Sequence, residues 1–339
     1  MKRGAAVAAS LAIGAIALTA CGSEAGNPPP AEPDVSPPLT AKPAGDVVPG
    51  SSEAEGVAVD ARTGLAAISF RDPNRIELVD VASGRVVRRV RVPDEARHLE
   101  LAGPGGPLLV PVEYKDRLLR IVLPSGRVEG DVHVGDFPHD AAQADDGRIF
   151  VSDEGGDMIS VVKGDSEETQ LPVPEQPGGV AISGEVLAVV TAAAREIAFY
   201  DTGTLEQTAV LPGGAGPSHV VAGDDGRFYV ADTGGDAVLV YEGGDDPRLL
   251  DRTNLSGSPY GLAIDDRRGR IWVTRPGLNE VAELEIGPLA PKLVANYPTV
   301  REPNSVGVDE RTGRVVVASR KNGDVQIFDP ATAAPIGGR

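Results

Sequence analysis

The sequence predicts an all-β fold, a single seven-bladed β-propeller of four-stranded antiparallel blades. Three observations predict it: turn-forming residues are abundant, one unit recurs along the chain, and the number of units closes a ring. Of 339 residues, 42 are Gly and 29 are Pro, while only 13 are aromatic. That punctuation suits short strands joined by tight reversals and leaves little room for long helices.

Residues 1–20 read as an export signal. Lys2 and Arg3 precede an apolar run from Ala5 to Ala17 that is too short to span a bilayer, and Leu18-Thr19-Ala20-Cys21 follows directly. This segment resembles bacterial lipoprotein signals, with Leu18, Ala20 and Cys21 on the Leu-x-Ala-Cys box. The resemblance implies that Cys21, the chain's only Cys, becomes the lipidated first residue of the mature protein. A lone Cys also excludes intrachain disulfides, Cys-based zinc sites and iron–sulfur clusters. Residues 21–43 form the lipidated Cys and a Pro-rich tether, with Pro28, Pro29, Pro30, Pro33, Pro37, Pro38 and Pro43. We expect an extended, disordered spacer there.

Residues 44–339 carry the repeat. Arg148 to Asp153, Arg227 to Asp232, Arg270 to Arg275 and Arg314 to Ser319 are four clear copies of one Arg-led strand. Weaker copies run from Leu65 to Phe70, Leu108 to Val112 and Val186 to Thr191. Their central residues, Ile68, Val110, Val151, Val189, Val230, Val273 and Val317, lie 38 to 44 apart. A period of about 40 with several short strands per unit is the signature of a propeller blade. Seven such units need about 290 residues, and Ser51 to Arg339 supplies them.

Within the fifth unit, His219 to Gly223 is the innermost strand and Arg227 to Asp232 the second, followed by Asp236 to Tyr241 and Arg248 to Thr253. The turns between them hold Gly and Asp, which tolerate positive φ or bond their own backbone. The seventh unit has only three convincing strands. An open ring would leave an exposed edge, so a segment within Thr40 to Val48 is expected to pair there. The alternative is closure by Ala334 to Gly338.

These units look like YVTN/NHL-type seven-bladed propellers. The residues carrying the resemblance are Arg-Phe-Tyr-Val-Ala-Asp at 227–232 with its equivalents, Asp-Ala-Arg-Thr-Gly at 60–64 and Asp-Glu-Arg-Thr-Gly at 309–313. The resemblance implies architecture more than activity, because this fold carries lyases, lactonases, redox subunits and plain binding modules.

In such a blade, the loop before the innermost strand and the loop after the second strand share one face, around the central channel. Before the innermost strands stand Glu55, His98, His139 with Asp140, Gly179, His219, Tyr260 and Asn304. Three of only four histidines thus fall on one class of position, and His133 is left on an outer strand at the surface. Imidazoles gathered in a shared funnel suit proton exchange or polar ligand contact. After the second strands come Arg71, Glu113, Asp153, Glu154, Asp232, Arg275 and Arg320. From these positions the ligand-binding set is His98, His139, Asp140, His219, Tyr260, Asn304, Arg71, Asp153, Asp232 and Arg275. No metal and no cofactor is expected, since residues from blades two and five can lie across the whole channel. Asp145-Asp146-Gly147 and Asp224-Asp225-Gly226 read as turns, because they lack the later carboxylates of a calcium loop.

There is no Gly-rich phosphate loop, zincin helix or Gly-x-Ser-x-Gly elbow. Streptogramin-lyase-like propellers depend on His and Glu in late blades, and the last two blades here hold no His. Glu55-Gly56 and Pro303-Asn304 resemble two positions of gluconolactonase-type sites, but Tyr260 stands where those have Asn. The net charge of −18, or −20 without residues 1–20, disfavours nucleic-acid partners. It also disfavours adhesion to anionic lipid, so acyl chains on Cys21 would have to hold the protein at the membrane. The expected protein is a membrane-anchored extracytoplasmic module binding a protein or a small polar ligand. The alternative is a lyase- or lactonase-type enzyme using the His/Asp-lined face.

Overall fold

A computed structural model of the chain describes Met1 and residues 29–336. The expected cleavage site and Cys21 lie outside the described residues. Among the described residues, no helix is long and apolar enough to cross a membrane.

Seven antiparallel sheets of four strands follow one another around a ring, as the repeat predicts. The five-residue to six-residue second strands fall at Leu65–Phe70, Leu108–Val112, Ile149–Asp153, Val186–Thr191, Arg227–Asp232, Arg270–Arg275 and Arg314–Ser319. Their central residues are fully buried because each blade is too thin to bury either face alone. Its apolar side chains pack against the next blade instead, and seven hydrophobic clusters result, one per blade junction. The junction of blades four and five is built around Phe199, Phe228 and Tyr241. The Tyr241 hydroxyl is satisfied by donating to the Pro212 carbonyl at 2.6 Å.

The ring closes with the N-terminal segment. Asp46–Val48 pairs with Val325–Phe328 as the outer strand of blade seven, in the register Asp46 to Ile327 and Val48 to Val325. At the other end of the chain, Ile336 bridges Asn296 of blade six. The outer position of blade seven therefore belongs to the N-terminal segment and not to the C-terminal tail.

The blades are less equal than the repeat suggests. The innermost strand of blade two is only Glu100–Leu101, and that of blade six only Leu262–Asp265. Irregular backbone over 95–99 thus brings Arg97 and His98 to the axis.

One latch recurs between blades. Asp116, Asp157, Asp236 and Asn279 sit in the left-handed region, at φ between 51° and 54°, just before the third strand of their blades. Each accepts a backbone N–H from the loop that leads into the next blade: Phe137 at 3.1 Å, Gln176 at 2.7 Å, Ser258 at 3.0 Å and Glu302 at 3.2 Å. All four of those donors also have positive φ, and each precedes a proline. Asn and Asp tolerate this conformation and bond backbone from it. The latch orients the start of each following inner strand, which is where the functional side chains stand.

The Pro-rich segment has no regular secondary structure over 29–43, in keeping with a spacer, yet its described part is docked on the ring. Ser36 is buried; it donates to the Pro276 carbonyl at 2.6 Å and accepts from the Glu302 amide at 3.0 Å. Asn279 donates to the Pro37 carbonyl, and the Asp34 amide donates to Ser258. This strap runs over blades five to seven on the side of the ring that carries the lead-in loops.

Candidate functional site

The lead-in loops aim side chains inward by interrupting the ladder. The pairing of the innermost strand skips at Pro138/Asp140, Pro177/Val180, Pro217/His219 and Pro303/Ser305. Such bulges redirect side chains. Hydroxyls of the second strands hold the loops: the Gly56 amide donates to Ser69, Asp140 to Ser152 and Gly261 to Thr274.

His98, His139 and His219 meet, as does Tyr260. The His98 ring lies 4.4 Å from His139 and is stacked on His219 at 4.5 Å, and His219 meets Tyr260 edge-on at 4.3 Å. Four rings from blades three, two, five and six therefore cross the channel in one row. Beneath the row, His98, His219, Asp140 and Glu100 line a pocket of about 70 Å³. It opens toward a cavity of about 390 Å³ lined by the innermost strands of all seven blades.

Beside the rings lies a charged network. Arg71 pairs with Glu55 at 2.6 Å and Glu95 at 3.2 Å. Arg97 pairs with Glu113 at 3.1 Å and stands 3.7 Å from Glu55, which also pairs with Arg320 at 3.1 Å. His139 Nδ1 lies 3.0 Å from Glu154 Oε2 and 3.5 Å from Glu113 Oε1. Both carboxylates crowd one nitrogen, and neither is aligned for a hydrogen bond.

The electrostatics divide the histidines. Burial alone would depress His139, yet the Glu113 and Glu154 carboxylates outweigh it and push the imidazole up to about 9. Partial burial opposes ionisation of Glu154, yet His139 and the Gln176 amide hold it down at about 2. His219 shifts the opposite way: burial and the neighbouring His98 and His139 hold it well below its ordinary value, and its Nδ1 is buried without a partner. Burial opposes ionisation of Asp140, but His98 at 3.7 Å and the Val180 amide at 3.0 Å hold its carboxyl below the usual range. Glu100 projects into the channel, touching its open space while ringed by protein. Although its side chain is exposed to the channel, enclosure by the channel walls and the Asp140 charge raise it to about 7.

The second-strand exits split by alternation. In blades one, two, three and seven the residue just past the strand, Arg71, Glu113, Glu154 and Arg320, joins the network described above. The last residue of each strand faces into its blade, and the structure does not bring Asp153, Asp232 and Arg275 to the rings. Asp153 accepts from Ser160 at 2.7 Å, and burial raises its carboxyl to about 7. Asp232 accepts from the Gly216 amide at 2.8 Å. Arg275 donates to the Ser256 carbonyl, Glu280 and Asn296. Asn304 is buried in the bulge that opens blade seven. His133 is exposed on the outer strand of blade two. Arg97, Glu95 and Glu100 escaped sequence reasoning because blade two lacks the proline that marks the lead-in loops of blades three to seven.

Among the described residues, Glu113, His139 and Glu154 are the one trio of His, Cys or carboxylate donors close enough to share a cation, with donor atoms within 4.8 Å of one another.

Neither a family model nor a curated protein matches the sequence. Solved structures match the fold. A hydrazine synthase chain of Kuenenia stuttgartiensis is 18% identical with a TM-score of 0.72, covering 88% of this chain and 97% of its own. A streptogramin B lyase is 15% identical at 0.70, covering 84% and 98%. The Cps50 (Swd1) propeller domain of Myceliophteria thermophila is 11% identical at 0.71, covering 85% and 99%. At such identities the likeness is one of fold: the chain is a seven-bladed β-propeller.

Proposed function

We propose that the protein is a YVTN/NHL-type propeller lipoprotein, anchored through acylated Cys21 on the extracytoplasmic face of the cell membrane, and that its central face binds a compact polar ligand. One observation carries the binding role. The row of His139, His98, His219 and Tyr260 forms a floor at the axis where His219 keeps a buried nitrogen without a partner. A neutral imidazole in such a floor carries one ring nitrogen able to accept a ligand N–H or O–H. The charged groups beside it supply both signs for orientation.

Two experiments test the reading. Membrane fractionation of cells making the full chain is expected to place it in the membrane fraction and Cys21→Ala in the soluble fraction; equal partition of both would overturn the anchor. Thermal-shift screening against small polar metabolites is expected to find a stabilising compound whose effect is lost in His219→Ala. If every stabilising compound acts equally on that variant, the ring row is not the binding site.

A second reading, a lyase-type enzyme, is favoured by the opposed states of His139 and His219, one charged and one neutral within a single cluster. Chromatography of a streptogramin B incubated with the protein separates the two. No consumption is expected; turnover abolished by His219→Ala would replace the first reading.

A further inference from the structure

We propose that Glu113, His139 and Glu154 form a binding site for one first-row divalent cation, Zn²⁺ or Mn²⁺, at the junction of blades two and three. The inference goes beyond the ligand-binding reading and does not depend on it.

Geometry is the first argument. His139 Nδ1 has carboxylate oxygens at 3.0 and 3.5 Å from two different strand ends. Donor atoms about 3.0–3.5 Å apart are what a cation with bonds of about 2.1 Å requires. Only the third edge, between the two carboxylates, has to shorten from its limit of 4.8 Å.

The second argument is satisfaction of buried polar atoms. Glu113 is 1% exposed and His139 7%. Glu113 Oε1 and Oε2, His139 Nδ1 and Glu154 Oε2 are all buried without a hydrogen-bond partner. A native interior rarely leaves such atoms on three side chains whose donors lie within 4.8 Å of one another. A shared cation would satisfy Nδ1, Oε2 of Glu154 and one oxygen of Glu113 together.

Charge distribution is the third. Three guanidiniums, on Arg71, Arg97 and Arg320, face the carboxylates of Glu55, Glu95, Glu113 and Glu154. Glu55 draws on all three, Glu113 reaches Arg97 alone, and no guanidinium pairs with Glu154. Glu154 is left with His139 as its cationic partner, a place that a divalent ion bound to the deprotonated imidazole would take over. Glu154 is also braced as ligands usually are, its Oε1 accepting from Gln176 Nε2 at 2.6 Å. One imidazole with two carboxylates is a borderline donor set, suited to zinc or manganese.

The test is titration of the EDTA-dialysed, tag-free protein with ZnCl₂ and with MnCl₂, followed by calorimetry and elemental analysis after desalting. Retention of about one equivalent of at least one of the two metals is expected. Glu113→Gln and Glu154→Gln, which keep side-chain volume, should each weaken that binding at least tenfold, while His133→Ala, which removes a surface imidazole, should leave it unchanged. Far-UV circular dichroism of the metal-free variants separates loss of a ligand from loss of fold. Wild-type protein that retains neither metal would overturn the proposal. So would binding that survives undiminished in a folded Glu113→Gln or Glu154→Gln protein.

Discussion

The two halves of the central face are built from the same repeat and differ in what they display. In blades seven, one, two and three, the residue just past the second strand is Arg320, Arg71, Glu113 and Glu154. In blades four, five and six it is Ala192, Thr233 and Pro276, and the Pro-rich strap docks along blades five to seven. In the bare half, Thr233 donates to the Pro259 carbonyl at 2.7 Å and Ser36 ties the strap to Pro276 and Glu302, while His219 Nδ1 at the axis keeps no partner. The charged half instead gathers its unsatisfied atoms on three neighbouring side chains, Glu113, His139 and Glu154. Repetition thus supplies seven equivalent positions, and the charged network is confined to the arc where charged residues occupy them, while the ring row reaches across to His219 and Tyr260.

The charged half responds most strongly to pH. His139 acquires its carboxylate neighbours on folding, so its folded pKa near 9 lies above the ordinary value of 6.5. The stability it contributes is complete below about pH 6.5 and disappears as the pH rises through about 9. Urea unfolding of metal-free protein should therefore show a loss on the order of 3 kcal/mol between pH 6 and pH 10. Glu154 belongs to the same pair and adds nothing separate. In Glu154→Gln that alkaline loss should shrink; an identical loss would mean that the pair does not govern it.

On the bare half, Ser36→Ala leaves the Glu302 amide without its hydroxyl partner. A cost of about 1–2 kcal/mol is expected, together with faster hydrogen exchange over 29–40. Unchanged exchange would show that the strap is held elsewhere. Asp236→Ala removes one latch beneath that half, with an expected cost of about 1 kcal/mol in thermal unfolding. His133→Ala, at an exposed outer strand, should change stability by less than about 0.5 kcal/mol and sets the baseline for the other two.

The architecture is legible in the sequence because the second strands are the most uniform and most buried part of each blade. Arg227 to Asp232 and Arg270 to Arg275 match their structural limits residue for residue. The histidines are legible because a rare residue type recurs at one phase of the period. Their meeting is not, since two blades separate His98 from His219 around the ring and only the narrowness of the channel brings their rings into contact. Asp153 and Glu154 show the other limit. They are neighbours, but alternation points one into the blade and the other at His139, and a shift of one residue in reading the strand end exchanges them. Nor does the composition of the spacer reveal that Ser36 is buried, because docking depends on a groove made by residues more than two hundred positions away.

Closure by Asp46–Val48 has a consequence for how the molecule is made. Val48 finds its partner only at Val325, near the far end of the chain. During synthesis the earliest strand waits, unpaired, for the latest, and the high contact order this imposes favours slow final assembly. Until that last zipper forms, the nascent disc keeps two open flanks, and its vulnerability to misassembly is greatest just before completion.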